Sequence, residues 1–95
     1  MDAVASKQVS IVNPNGLHAR PACLFARLAS RFVAQVAIIK DATRVDGKSV
    51  LDLLMLGAVH GTQLTIEARG SDAGDAIMAL AQLLEHEDPL DKMTE

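Results

Sequence analysis

The 95-residue chain points to one domain, and its net charge of -3 marks it neither as a polyanion nor as a basic nucleic-acid binder. Aromatic residues are 2% of the chain, with no Trp and no Tyr, so the core must come from Leu, Ile, Val, Ala and Met. The flat rings that stack single-stranded nucleic acid are missing. Cys23 is the sole cysteine, which excludes an intramolecular disulfide and fits a reducing compartment. No basic segment followed by a long apolar run opens the chain, and no apolar stretch has the length of a membrane span. A cytoplasmic protein that binds no nucleic acid and inserts into no membrane is expected.

Charge is unevenly spread. Ala3 to Lys40 contains no Asp or Glu, while Lys7, Arg20, Arg27, Arg31 and Lys40 are basic. After Gly70, seven acidic residues face only Lys92. A positive first segment can steer phosphate or an acidic partner; a chance distribution on a solvated surface is the plain alternative.

In chain order, Lys7 to Val12 reads as a strand, with Val9 and Ile11 alternating against Gln8 and Ser10. Asn13-Pro14-Asn15-Gly16 is a turn. A helix follows from about Ala19 to Arg31, with Leu24, Phe25, Leu28 and Phe32 at helical spacing. Pro21 is tolerated if it falls in the first turn, which puts His18 at or near the N-cap. Val33 to Lys40 is a second strand. Asp41-Ala42 turns into a third, Thr43 to Val45. Ser49-Val50-Leu51-Asp52 has the form of a capping box opening a short helix that Gly57 ends. Gln63 to Arg69 alternates, with Leu64, Ile66 and Ala68 inward. After Gly70-Ser71-Asp72 a last helix carries the stripe Ala76, Ile77, Leu80, Leu83 and Leu84. Residues 86–95 are polar and are expected to fray. The whole of 1–95 then forms one α+β domain, an antiparallel sheet with helices on one face.

The chemistry concentrates in Gly16-Leu17-His18-Ala19-Arg20-Pro21-Ala22. The positive end of a helix disfavours an imidazolium, and Arg20 acts in the same sense. A neutral imidazole is a nucleophile. The first-turn N–H groups of Ala19 and Arg20 suit an attached phosphate, and the Arg20 guanidinium can add a charge-assisted contact. The same residues also admit a histidine that only caps a helix.

This segment resembles the active-site signature of the HPr phosphocarriers of the bacterial phosphoenolpyruvate phosphotransferase system. Lys48-Ser49-Val50-Leu51, with Gly57 and Gly61, resembles the family's second signature, and the likeness runs from about Lys7 to Leu84. The resemblance implies an open-faced β-sandwich in which a four-stranded antiparallel sheet is covered on one face by three helices, in the order βαββαβα. It implies phosphorylation of His18 on Nδ1 by enzyme I, assistance by Arg20, and transfer to an EIIA-type acceptor. The protein would then be a carrier without enzymatic turnover, without cofactor or metal, and a monomer. The resemblance further implies a docking surface at Val50, Leu51 and Leu54, and regulatory phosphorylation of Ser49 by a serine kinase/phosphorylase. Leu53-Leu54-Met55-Leu56 leans toward the nitrogen-related branch rather than the sugar-transport branch. Two alternatives are carried forward: a regulatory docking module of that branch, and a small-molecule-binding regulatory α+β domain.

Independently of the resemblance, Val50 to Leu56 is apolar at every position but Asp52, more than one buried stripe needs, so part of it should be exposed and available to a partner. Cys23 reads as a small buried hydrophobe, with a redox role as the alternative. His60 and His86 have no metal-ligand spacing with His18.

Overall fold

The computed structural model describes residues 3–87. Four strands, β1 (Val4–Ser10), β2 (Gln35–Lys40), β3 (Thr43–Asp46) and β4 (Gln63–Arg69), form one sheet in the order β1-β4-β2-β3 with every neighbour antiparallel. Three helices, α1 (Ala19–Ala29), α2 (Val50–Met55) and α3 (Ala73–Glu85), complete the order βαββαβα. The sheet buries one face only. Val9, Val36, Ile38, Leu64, Ile66 and Ala68 point under the helices, and Phe25, Leu53, Ile77 and Leu80 meet them there. The other face is polar. There Arg44 of β3 reaches Glu67 of β4 across the small Ala37 of β2, and the pair holds the Glu67 carboxyl below its ordinary range. This is the open-faced sandwich expected from the sequence.

Several boundaries move. β1 begins three residues earlier than its apolar alternation suggests and stops at Ser10, because pairing with β4 is continuous from Val4↔Arg69 to Ser10↔Gln63. The pairing, not the apolar pattern, sets its limits. Val33 lies outside β2 and is exposed. Its N–H donates to Asp72 Oδ2 over 2.9 Å and the Ala34 N–H to Asp72 Oδ1 over 2.8 Å, so one carboxylate ties the turn after α1 to the start of α3. These backbone donors, Val33 foremost, hold the Asp72 carboxyl below the usual range. Gly70 makes this approach possible, since a Cβ there would sit 2.7 Å from Ala34 Cα. The frayed tail expected from residue 86 lies, from residue 88 onward, outside the described residues.

Lys7 faces the helix side of the edge strand β1 and pairs with Glu85 at the end of α3 over 2.9 Å. A charge turned inward on an edge strand discourages pairing with a further strand.

Candidate phosphohistidine site

The site begins in the link between β1 and α1. The Gly16 N–H donates to the Asn13 carbonyl over 3.0 Å and closes the expected turn. Gly16 has φ +72, a left-handed value, and a Cβ there would lie 2.5 Å from the Ala58 carbonyl oxygen. Only glycine satisfies both demands. Next to it the Leu17 N–H donates to the Ala58 carbonyl over 2.8 Å. The links are laced further by Gly61 N–H to the Ile11 carbonyl (2.8 Å) and Ile11 N–H to the Thr62 carbonyl (2.9 Å). The loop after α2 therefore braces the segment that leads into His18.

His18 is the N-cap of α1, with extended backbone and a half-buried side chain that makes no cap hydrogen bond. The first ladder bond of α1 runs from the Ala22 N–H to the His18 carbonyl over 3.0 Å. The N–H groups of Ala19 and Arg20 precede that ladder, at the positive end of the helix. Pro21 stands in the first turn, where it brings no N–H and removes none that the ladder needs, and it is buried. Arg20 is exposed, and no acidic residue stands in the first turn. The chain thus gathers an imidazole, a helix mouth and a guanidinium at neighbouring positions.

Cys23 is exposed, contrary to the expectation of a buried hydrophobe. The buried face of α1 is filled by Pro21, Ala22, Phe25, Ala26 and Ala29, and Cys23 falls outside that stripe.

α2 packs on α1 and β3, beside the braced loop. Ser49 is its N-cap, and the hydroxyl accepts the Asp52 N–H over 3.2 Å. The reciprocal half of the capping box is absent. The Asp52 carboxylate accepts the Asp46 N–H instead, and the Ser49 N–H donates to the Asp46 carbonyl. At the other end Lys40 Nζ donates to the carbonyl of Leu56, the C-cap, over 3.0 Å. Leu53 and Leu56 are core. Leu51 is 68% exposed and Leu54 39%, whereas Val50 is half-buried against the core and presents less surface than its sequence position suggests. Two further exposed apolar residues were not singled out by the sequence, Met55 at 74% and Val59 at 66%. Met55 is four residues after Leu51, a spacing that puts both on one face. Val59 follows the helix end, and nothing in its local sequence distinguishes it from a core position.

An open-faced sandwich with a histidine at the mouth of its first helix and an apolar short helix near it has the form of a small phosphocarrier protein. The family model described as the PTS HPr component phosphorylation site matches residues 5–86. Phosphocarrier protein HPr of Neisseria meningitidis is 40% identical over 78 residues, covering 82% of this chain and 88% of that one. The crystal structure of HPr from Bacillus anthracis matches with a TM-score of 0.82 at 41% identity, over 86% of this chain and 98% of that one. An HPr dimer from Thermoanaerobacter tengcongensis matches with a TM-score of 0.68 at 42% identity, over 83% and 93%. The chain belongs to the HPr family of the phosphotransferase system, whose members are phosphocarriers and not enzymes.

Proposed function

We propose that this protein accepts a phosphoryl group from phosphorylated enzyme I on Nδ1 of His18 and delivers it to an EIIA-type acceptor in the cytoplasm. The observation that carries the reading is the position of His18 as N-cap of α1, within the span matched by the family's phosphorylation-site model. In the forward step the Nδ1 lone pair attacks phosphorus, the P–N bond to His18 forms, and the bond to the donor breaks with its electron pair left on the donor. The Ala19 and Arg20 N–H groups and the Arg20 guanidinium stabilise the negative oxygens of the transferring group. Because the same groups serve both directions, the phosphoryl group can leave again.

Leu51 and Leu54, with Val50 behind them, form the docking surface for enzyme I and the acceptor. The basic exposed positions Arg20, Arg27 and Arg31 favour an acidic partner surface around that apolar centre. Ser49 is a regulatory phosphorylation site for a serine kinase/phosphorylase, next to this surface. The carrier works as a monomer, although relatives of the same fold, HPr of Thermoanaerobacter tengcongensis and Crh of Bacillus subtilis, are described as dimers.

The test is incubation with phosphoenolpyruvate and enzyme I. One acid-labile, base-stable phosphate per chain is expected, absent in His18→Ala with the fold retained. Label at the wild-type rate in His18→Ala removes His18 from the mechanism, and no label on the wild type favours a ligand-binding domain.

A further inference from the structure

We propose that Met55 is an oxidation-sensitive anchor of the docking surface, so that hydrogen peroxide weakens capture by the phosphoryl donor without reaching His18. The inference rests on the docking reading above and adds a form of regulation to it. Met55 is 74% exposed, the most exposed side chain of α2, and lies one turn after Leu51 and next to Leu54. Val59, four residues further along the chain and beyond the helix, is 66% exposed. A thioether suits such a surface because it is flexible and polarizable and fits several partners. It is also the one group among these side chains that oxidants attack.

The step balances with the peroxide alone. The sulfur lone pair attacks one peroxide oxygen, an S–O bond forms and the O–O bond breaks. The departing oxygen takes the proton of the transferred hydroxyl and leaves as water. Sulfur is oxidised by two electrons and the peroxide is reduced by two. The product is a polar, chiral sulfoxide where an apolar tip stood. On docking, its oxygen loses water beside Leu51 and Leu54 of the same helix, whose side chains offer no donor. The change is local, because Leu53 and Leu56, which hold α2 to the core, are buried and carry no sulfur.

The molecule contains its own control. Met78 is 73% exposed, as accessible as Met55, but sits on α3, which packs on β1, β4 and α1. Exposed Cys23 is also oxidisable, so all proteins compared carry Cys23→Ala, and each is referred to its own unoxidised form.

The experiment oxidises the parent, Met55→Leu and Met78→Leu with hydrogen peroxide and locates each sulfoxide by peptide mass. It then measures phosphorylation by enzyme I and thermal unfolding. In the parent and in Met78→Leu, oxidation should raise KM for enzyme I roughly tenfold, the scale of losing one apolar anchor. Methionine sulfoxide reductases acting on both epimers should restore it. Met55→Leu should be indifferent to peroxide. An equal rise in Met55→Leu overturns the proposal, as does an unchanged KM in a parent whose Met55 is fully oxidised, or a fall in unfolding temperature that accounts for the loss. A protein that takes no phosphate before oxidation overturns the functional reading itself, and this proposal with it.

Discussion

The Leu17 N–H donates to the Ala58 carbonyl over 2.8 Å, and this bond joins the approach to His18 to the loop that follows α2. The candidate nucleophile and the candidate docking helix are thereby set by one piece of backbone, not by two independent loops. A disturbance at that junction should show in transfer as well as in stability.

Gly16→Ala tests the junction. Its φ of +72 and the 2.5 Å separation of a Cβ from the Ala58 oxygen force the two loops apart. The left-handed backbone alone costs about 1–2 kcal/mol for a residue with a Cβ, and the collision adds to it. A lower unfolding midpoint in urea is expected, together with slower phosphorylation of His18 in the fully folded fraction. Equal transfer rates would show that His18 does not depend on the brace.

Arg20→Ala should slow phosphoryl transfer in both directions with little change in the unfolding midpoint, because Arg20 is exposed. The loss should not exceed about 2.7–4 kcal/mol, the scale of removing one preorganised donor. Rapid-quench kinetics with enzyme I and with the acceptor measure both directions. Unchanged rates would leave Arg20 a surface residue only.

Leu51 and Leu53 should separate docking from packing. Leu51→Ser removes an exposed apolar side chain and should raise KM for enzyme I with little change in stability, a loss of about 1–2 kcal/mol of binding. Leu53→Ala opens a cavity at a fully buried position and should cost about 2–5 kcal/mol of stability. Titration with enzyme I and chemical denaturation read the two effects apart. A Leu51 variant with normal KM would exclude the patch from docking.

Ser49 caps α2, and two substitutions test whether it is also the proposed regulatory site. As a cap, Ser49→Ala should lose about 1 kcal/mol of stability. As a regulatory site, a phosphate of roughly -1.5 to -2 charges should repel an acidic partner from Leu51 and Leu54. Ser49→Asp should therefore slow transfer from enzyme I while Ser49→Ala does not. Equal transfer by both variants would reduce Ser49 to a cap.

Asp72 predicts a pH dependence. Its carboxyl is held below the ordinary value of about 3.9 chiefly by the Val33 N–H, with Ala34 adding a second donor. A lowered folded-state value means that the unfolded chain binds the proton first. The stability from this group is complete above the ordinary value and is lost as pH falls through the lower, folded one. Asp72→Asn should be less stable near pH 7 and should lose less than the wild type between about pH 5 and pH 2. Thermal melts across that range compare the two, and parallel curves would remove Asp72 from the acid response.

Much of this was legible in the sequence where a local rule and the tertiary structure agree. The first turn of α1 was readable because Pro21 is compatible with few helical positions and the preceding Asn-Pro-Asn-Gly allows only a turn. The cap at Ser49 and the stop at Gly57 follow from side-chain and backbone chemistry carried within a few residues. The misses come from contacts that local rules do not name. Strand β1 is extended to Val4 by Arg69, Asp52 turns to Asp46 instead of Ser49, and the exposure of Cys23 depends on which face of α1 meets the core. Leu51 and Leu53 are identical letters two positions apart with opposite fates; the family resemblance already set Leu51 on the docking surface, and the packing of α2 on α1 and β3 buries Leu53. The exposure of Met55 was within reach, through its four-residue spacing from Leu51.

α2 has six residues, at most half the number at which an isolated helix becomes even marginal in water, about 12–15. It is held from outside: Ser49 caps its start, Asp52 ties back to Asp46, and Lys40 holds the Leu56 carbonyl. Its backbone entropy is surrendered when the chain folds, before any partner arrives. An approaching protein meets a fixed relief of side chains and need not order a segment as it binds, which keeps encounters fast and spares the ordering cost. For a phosphocarrier, whose docking surface must be ready at every encounter, a short helix fastened at both ends supplies that readiness.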